Sequence, residues 1–278
     1  MHLAIDIGAT KTQAGVFSTK GQLIGTLKYE TCSDKQAFEA KLFDVCDSLL
    51  GGRHPTSVGL AVPGLVAADG TFTSLNIGWQ DYDLSRIIEK RYAKEVHVDN
   101  DVSYAGLAEA RYGAATDYQS AVYVSLSTGL GTAIIVDGEI AKHMGTSESG
   151  LMLANINSEL DGRSESIEDI VSGTGFRRLF DANPELVTDP LIWSRYAKLL
   201  SKCLFNNSVV FFPQTIVMGG GLMNQYARFN EALVHDFTQL FPAHCRIPQL
   251  GAARFINEGV LYGSYAASQT RSQYRTNK

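Results

Sequence analysis

The feature that most constrains this sequence is an arrangement of strands that occurs twice. Residues 2–29 give an apolar strand, a small hydroxylated turn, a second apolar strand, a turn at Gly21 and a third strand. From Ser120 the same order returns over residues 120–141, with Ser, Thr and Gly in the first turn and Asp-Gly in the second. This repeat predicts a duplicated α/β fold whose halves each begin with a β-hairpin, and it suggests a nucleotide between the halves.

Composition narrows the class of protein. The chain has 278 residues, of which 45% are hydrophobic and 19% charged, so it can bury one large core or two of ordinary size. The net charge of -5 argues against a nucleic-acid groove. No apolar run reaches about 18 residues and the chain begins directly with a strand, so neither a membrane span nor a signal peptide is expected. The four scattered cysteines are typical of reduced thiols in a cytoplasmic protein.

One acidic residue lies where a strand is followed directly by a helix. Residues 96–100 alternate and are rich in Val, and small and apolar residues then recur at helical spacing up to Gly113. Asp101 is therefore expected at the carboxyl end of a strand, where ligands bind in α/β sheets. The alternative is that Asp101 only caps the helix, which is the common role of aspartate at such a position.

The first turn of each half has the composition of a phosphate-binding loop. Small residues such as Gly8, Ala9 and Thr10 let backbone N–H groups approach an anion closely. Asp6, at the head of the first turn, could hold a hydrated metal ion. The alternative is a plain hairpin whose acidic residue only caps the turn.

The rest of the chain alternates helices with buried strands. Helical spacing predicts helices over 35–50, 84–92, 191–206 and 229–241, and a small-residue helix over 253–267. Buried strands are predicted over 57–62 and 214–218, and the second runs into three glycines. Residues 76–79, Asn-Ile-Gly-Trp, are predicted to form a polar and aromatic loop.

Four motifs carry a resemblance to a known family. They are Asp6-Ile7-Gly8-Ala9-Thr10-Lys11, Asp99-Asn100-Asp101, Ser127-Thr128-Gly129-Leu130-Gly131 and Val217-Met218-Gly219-Gly220-Gly221. Their order resembles that of the ROK family (repressors, open reading frames, kinases), and the likeness runs from about residue 2 to residue 267. It implies an α/β protein of two RNase H-like domains of the actin-like ATPase type, with an interdomain cleft. The domains would comprise residues 1–115 with 254–278, and residues 116–253.

The resemblance also implies roles for individual residues. Asp101 matches the catalytic base, and Asp6 matches the acid that holds Mg²⁺ through water. The two phosphate turns would consist of Gly8, Ala9, Thr10 and Lys11, and of Ser127, Thr128 and Gly129. The adenosine-side loop would consist of Gly219, Gly220, Gly221 and Leu222. The sugar would be bound by Asn76, Asn100, Asp101, Glu148 and Glu168.

Several positions depart from the family pattern. Ala9 and Ser127 stand where the family usually has Gly, and both are small enough to keep the turn. Leu151 replaces a histidine that in the family binds both zinc and sugar. Residues 161–166, Asp-Gly-Arg-Ser-Glu-Ser, replace the family's Cys-rich zinc loop. The chain therefore resembles the zinc-less branch, and no zinc site is expected.

The activity implied by the resemblance is that of an ATP-dependent kinase. It would transfer the γ-phosphoryl group to a hydroxyl of a hexose or N-acetylhexosamine, as glucokinase or N-acetylmannosamine kinase does, with ATP and Mg²⁺. A small-molecule sugar is the expected partner, a homodimer the expected assembly, and neither nucleic acid nor membrane is expected to bind. Two alternatives come from other classes: a non-catalytic ROK-type sugar sensor, and an ATPase or scaffold of the actin or Hsp70 kind. Asp101 and both intact phosphate turns argue against the sensor, and actin and Hsp70 lack a sugar base at this position.

Overall fold

The structure is a computed structural model and describes residues 1–141, 147–154 and 165–270. The strands are β1 (His2–Ile7), β2 (Lys11–Phe17), β3 (Leu23–Glu30), β4 (Ser57–Val62), β5 (Leu65–Val66), β6 (Phe72–Ser74), β7 (Trp79–Tyr82), β8 (Val96–Asn100), β9 (Ser120–Leu126), β10 (Leu130–Val136), β11 (Glu139–Ile140), β12 (Thr215–Gly219) and β13 (Gln249–Ala252). The α-helices are α1 (Lys35–Leu50), α2 (Leu84–Tyr92), α3 (Asp101–Tyr112), α4 (Ile167–Val171), α5 (Gly173–Phe180), α6 (Pro190–Phe211), α7 (Asn230–Gln239) and α8 (Gly259–Ser268). Short 3-10 helices span Ser149–Leu151 and Gly221–Arg228.

The chain divides into two compact units. Unit 1 comprises Met1–Ala108 together with the chain from Glu258 onwards, and unit 2 comprises Glu109–Asn257. The two domain boundaries expected from the sequence, after residue 115 and after residue 253, both lie inside unit 2.

Glu109 binds the residues around both expected boundaries and so keeps them in unit 2. Its side chain is only 1% exposed. One carboxylate oxygen accepts hydrogen bonds from the N–H groups of Ala114 and Arg254, at 2.8 and 3.0 Å, and the other accepts one from Phe255 at 2.8 Å. A buried carboxylate needs such donors, so residues 109–115 and 254–255 are held together.

Each unit is built on a five-stranded mixed sheet of the same design. The strand order is β3-β2-β1-β4-β8 in unit 1 and β11-β10-β9-β12-β13 in unit 2. In each sheet the first three strands in the chain form an antiparallel meander, and the last two run parallel to the central strand. This is the RNase H-like topology, so the duplicated α/β fold expected from the two hairpins is confirmed. The carboxyl ends of the parallel strands meet at one edge of each sheet.

Close packing of helix on sheet completes the core of unit 1. Helix α8 packs against β1 and β4. A Cβ atom on Gly59 of β4 would lie 1.9 Å from the backbone carbonyl oxygen of Ser264, so only glycine allows this approach. In the same core, the rings of Phe38 of α1 and Phe72 of β6 pack against Trp79.

Two local predictions are wrong, and tertiary contacts explain both. The expected helix over 253–267 begins only at Gly259, because the N–H of Ala253 still donates to the carbonyl of Met218 at 2.7 Å and prolongs the sheet contact. The expected loop over 76–79 ends in a strand, since Trp79 begins β7. Trp79 is 2% exposed and its indole N–H donates to the carbonyl of Ser33 at 2.7 Å.

Two further observations bear on the class of protein. None of the described helices is long and apolar enough to cross a membrane. All four cysteines lie within the described ranges and are free thiols.

Candidate active site

Asn100 and Asp101 lie next to each other at the junction of β8 and α3, and it is Asn100 that caps the helix. The side-chain oxygen of Asn100 accepts hydrogen bonds from the N–H groups of Val102 and Ser103, at 2.9 and 3.3 Å, so Asn100 is the residue that caps the helix. Its amide nitrogen donates to the carbonyl of Gly64 at 3.0 Å, and the side chain is 6% exposed. The capping alternative weighed for Asp101 therefore applies mainly to its neighbour.

The carboxyl group of Asp101 lies at the carboxyl edge of the sheet. One oxygen accepts the N–H of Val102 at 2.8 Å. Burial raises the pKa of Asp101 to about 6, and hydrogen bonds from Val102 and Asn100 limit the rise. A carboxylate with a pKa near the physiological range is suited to general-base chemistry.

Asp6 is the second acidic group of this edge. It is partly buried near the end of β1, and burial followed by the charge of Asp101 raises its pKa to about 7, while Lys28 lowers it. The strand register brings both charged groups near Asp6. On one side Asp6 pairs with Gln13, which pairs with Lys28. On the other side Asp6 pairs with Ala61, which pairs with Asp99, two residues before Asp101.

The donor set of this edge fits Mg²⁺. Mg²⁺ is commonly held by one or two carboxylates together with water and substrate phosphates, and a cation would relieve the repulsion that raises the pKa of Asp6. Across residues 1–141, 147–154 and 165–270 no group of three His, Cys, Asp or Glu side chains could hold a metal ion by itself. A Mg²⁺ ion at Asp6 would therefore depend on water and phosphate for its other ligands.

The first small turn joins β1 to β2. The N–H of Gly8 donates to the carbonyl of Lys11 at 3.0 Å, and a Cβ on Gly8 would lie 2.9 Å from that same oxygen. Thr31, just after β3, donates its hydroxyl to the carbonyl of Gly8 at 2.8 Å and its N–H to the carbonyl of Thr10 at 3.0 Å. Ala9, Thr10 and Lys11 are exposed. The turn is thus fixed from behind and open to solvent.

The second small turn, Ser127–Gly129, joins β9 to β10 in unit 2. Its end is fixed by Glu168 of α4, whose carboxylate accepts the N–H of Leu130 at 2.6 Å. A Cβ on Gly129 would lie 2.7 Å from the same carboxylate oxygen. Glu168, which was expected to bind sugar, therefore holds the end of the second small turn, and Gly129 is needed for that close approach.

The glycine-rich loop after β12 lies against the end of β9. Strand β12 runs parallel to β9, with Gly219 opposite Ser125. Gly220 has a φ of 86°, and a Cβ there would lie 2.4 Å from the carbonyl oxygen of Leu126. Leu222 is 3% exposed in the core of unit 2. Any contact of Leu222 with a nucleotide would come from its backbone.

The residues expected to contact the sugar occupy different settings. Asn76 is exposed in a turn closed by a 3.0 Å hydrogen bond from the N–H of Gly78 to the carbonyl of Ser74. Glu148 is exposed and precedes the 3-10 helix Ser149–Leu151. Leu151 is 61% exposed.

Hydroxyl and backbone contacts hold the segment that carries Glu148. The hydroxyls of Thr132 and Ser149 are 2.5 Å apart and buried. The N–H of Ile167 donates to the carbonyl of Met152 at 2.8 Å, which ties the segment to the start of α4. Most of the sequence that replaces the family's zinc loop, residues 161–164, lies outside the described residues.

Taken unit by unit, the structure brings several of the expected residues together. In unit 1, Asp6, Asn100 and Asp101 lie at one sheet edge beside the first turn. In unit 2, the second turn adjoins both the glycine loop and Glu168. Thr31 and Glu109 carry no signal in the sequence, because the backbone groups that they bind come mostly from distant parts of the chain.

Two small-residue turns and an acidic strand edge lie on duplicated RNase H-like units, which is the fold of the actin-like ATPase class. The ROK family model matches residues 2–270, and the chain belongs to the ROK family.

Individual relatives extend this result. The N-acetyl-D-glucosamine kinase of Erwinia tasmaniensis is 30% identical over 299 residues, which cover 95% of this chain and 98% of that protein. The enzyme of the same name from Citrobacter koseri is 27% identical over 302 residues, with the same coverage.

Solved structures agree on the fold. The ROK hexokinase from Thermus thermophilus has a TM-score of 0.80 and 24% identity, covering 96% of this chain and 97% of that one. The ROK glucokinase from Streptomyces griseus, solved with glucose and AMPPNP, has a TM-score of 0.81 and 21% identity, covering 96% and 99%.

Proposed function

We propose that this protein is an ATP-dependent sugar kinase that transfers the γ-phosphoryl group to a hydroxyl of a hexose or N-acetylhexosamine. The observation that carries the proposal is Asp101. Its carboxyl group has a raised pKa, and the neighbouring Asn100 takes over the capping of α3. Membership of a family that includes sugar kinases supports the same reaction.

Asp101 acts as the general base in this proposal. Its carboxylate accepts the proton of the attacking sugar hydroxyl, a contribution of about 10²–10⁴-fold in rate. Asp6 would hold Mg²⁺ through water, and the ion supplies charge neutralisation for the phosphates when it is bound. The turns Gly8–Lys11 and Ser127–Gly129 would offer backbone donors to the phosphate oxygens, because phosphoryl transfer needs positioning and charge stabilisation above all.

The proposed sugar ligands are polar side chains. Asn76 and Glu148 are exposed and can meet sugar hydroxyls. Asn100 and Glu168 already bond backbone groups, so they would hold the sugar with the capacity that remains. N-acetylglucosamine is the first sugar to test, because the most similar relatives described above are kinases of that sugar.

A coupled ADP-release assay over a panel of sugars tests the reaction. The panel would contain N-acetylglucosamine, N-acetylmannosamine, glucose, fructose and allose. We expect at least one sugar to stimulate ADP release, and Asp101→Asn to lower kcat by about 10²–10⁴-fold with sugar binding retained. Asp44→Asn, an exposed aspartate on α1, is the matched control and should keep full activity.

Two results would contradict the kinase proposal and favour one of the alternatives. Sugar binding by calorimetry without ADP release for any sugar would favour the non-catalytic sensor. ATP hydrolysis that no sugar stimulates would favour an ATPase of the actin or Hsp70 kind.

We also propose a cytoplasmic location and a homodimer. The free thiols of all four cysteines and the use of ATP support the first. Light scattering coupled to gel filtration tests the second.

A further inference from the structure

We propose that Thr174 is a positioning residue that holds the phosphate turn Ser127–Gly129 in its anion-binding conformation. The inference rests on the proposed function in one respect, namely that the anion is the phosphate chain of ATP. Thr174 lies in the first turn of α5 and has no role in the chemistry itself.

The start of α5 binds two consecutive carbonyl groups of the turn. The N–H of Gly173 donates to the carbonyl of Ser127 at 2.6 Å. The hydroxyl of Thr174 donates to the carbonyl of Thr128 at 2.8 Å, and the N–H of Thr174 reaches the same oxygen at 3.3 Å. A Cβ on Gly173 would lie 2.7 Å from the carbonyl oxygen of Ser127, so the helix approaches as closely as it can.

Peptide geometry converts these contacts into the direction of two N–H groups. In a trans peptide the carbonyl of one residue and the N–H of the next point in opposite directions, and the described chain contains no cis peptide. With the carbonyls of Ser127 and Thr128 held towards α5, the N–H groups of Thr128 and Gly129 must point away from it.

These two N–H groups remain available among the hydrogen bonds of the described residues. The N–H of Ser127 donates to the carbonyl of Gly129 at 3.0 Å, and the N–H of Leu130 donates to Glu168. For Thr128 and Gly129 no described residue accepts a hydrogen bond from the N–H group. Two adjacent donors that point the same way form the kind of concave site that binds a phosphate oxygen.

The first turn of unit 1 is held by the same kind of contact, a threonine hydroxyl that donates to a carbonyl of the turn. There the hydroxyl of Thr31 donates to the carbonyl of Gly8 at 2.8 Å, the same length as the contact from Thr174. Thr31 in turn bonds the hydroxyl of Thr12 at 2.9 Å. A threonine hydroxyl from outside the hairpin thus fixes a carbonyl of each small turn, which argues that the contact serves the turn and is not incidental.

Removing one hydroxyl tests the inference. Thr174 is exposed, so Thr174→Val should fold, with a melting temperature lowered by no more than about 2–4 °C for the one lost hydrogen bond. Calorimetry on the full-length protein would compare ATP with adenosine, which lacks phosphates. We expect Thr174→Val to weaken ATP binding about 3- to 10-fold, the size of one net hydrogen bond, and to leave adenosine binding unchanged. Thr174→Ser, which keeps the hydroxyl, should restore ATP affinity.

A second threonine provides the matched control. The hydroxyl of Thr116 also bonds a backbone carbonyl in unit 2, that of Gly113, at 3.2 Å. Thr116→Val should therefore leave ATP binding unchanged. Equal loss of ATP and adenosine binding in Thr174→Val, unchanged ATP binding in that variant, or failure of Thr174→Ser to restore it would each overturn the inference.

The binding measurements separate this inference from the proposed reaction. A parent protein that binds ATP more tightly than adenosine but phosphorylates no sugar would refute the kinase proposal. The comparison of Thr174→Val with Thr174→Ser would still decide the role of Thr174. A parent that binds ATP no better than adenosine would overturn the inference, because the turn would then bind no phosphate.

Discussion

The charge of Asp101 raises the pKa of Asp6, although β4 lies between β1, which contains Asp6, and β8, which ends just before Asp101. Burial is the larger cause of the rise to about 7, and the negative charge of Asp101 adds to it. Pairing across β4 explains the proximity, since Asp6 faces Ala61 and Ala61 faces Asp99. Two carboxyl groups held in this way destabilise the folded protein at neutral pH, and the same repulsion makes the site attractive to a divalent cation.

Asp6→Asn should stabilise the metal-free protein at high pH. A folded-state pKa of about 7, above the ordinary value of 3.8, means that the folded state binds more protons than the unfolded state between those values. The contribution of Asp6 to the free energy of unfolding therefore falls as pH rises from about 4 to about 7. We expect the gain in Asp6→Asn to be about 2–3 kcal/mol larger at pH 8 than at pH 5. Urea titrations in EDTA measure it.

The exposed Asp44→Asn serves as the control for the same titrations. Its free energy of unfolding relative to the parent should not change between the two pH values. A gain in Asp6→Asn that is the same at pH 5 and pH 8 would contradict the electrostatic explanation.

Asn100→Ala and Asn76→Ala should separate stability from sugar binding. Asn100→Ala removes two hydrogen bonds to the first turn of α3 and one to Gly64, so we expect a loss of about 2–4 kcal/mol in the free energy of unfolding. Asn76 is exposed, and its replacement should change stability by less than about 0.5 kcal/mol while raising the sugar KM. An Asn76→Ala variant with unaltered KM for every substrate would remove Asn76 from the sugar site.

Glu109→Gln should destabilise unit 2 selectively. The amide offers a single acceptor oxygen, so it cannot serve the three backbone donors that the carboxylate satisfies. We expect a loss of about 2–4 kcal/mol. The chain has two tryptophans, Trp79 in unit 1 and Trp193 in unit 2, so a Trp79→Phe background reports on unit 2 alone. Glu95→Gln, an exposed control, should leave the Trp193 transition in place; an equal shift in both variants would contradict the prediction.

Gly59→Ala should disrupt unit 1. The added methyl group would lie 1.9 Å from the backbone oxygen of Ser264, so α8 has to move and we expect a loss of about 3 kcal/mol or more. Gly25→Ala, on β3 of the same unit, is the control, because its Cβ position makes only an ordinary contact, 3.4 Å to a side-chain carbon of Leu49. Trp79 fluorescence in a Trp193→Phe background should show an early transition for Gly59→Ala and a parental one for Gly25→Ala.

The sequence was sufficient for the parts of this molecule that depend on local pattern. Apolar strands joined by small turns located both hairpins, and the Val-rich run followed by Asp101 located the strand–helix junction. Helix α2 was predicted with the bounds Leu84–Tyr92 that the structure has. Each of these features is determined by neighbours within about ten residues along the chain.

Features that depend on distant partners were missed. Trp79 looks like a loop residue next to Gly78, but it is buried because Phe38 and Phe72 surround it. Residues 253–258 have helical composition, yet Glu109 holds the N–H groups of Arg254 and Phe255. The hydroxyls of Thr31 and Thr174 look like any others in the sequence. Their importance arises only when the fold brings backbone carbonyls to them.

The interrupted course of unit 1 has a consequence for the growing chain on the ribosome. Helix α8, which packs on β1 and β4, is synthesised only after the whole of unit 2. At translation speeds of about 5–20 residues per second, roughly 10–30 s pass between the emergence of β8 and that of α8. Unit 2 is one continuous stretch and can fold in that time. The sheet around Gly59 stays uncovered meanwhile, so it is the surface that a chaperone would shield, and early termination within unit 2 would release it bare.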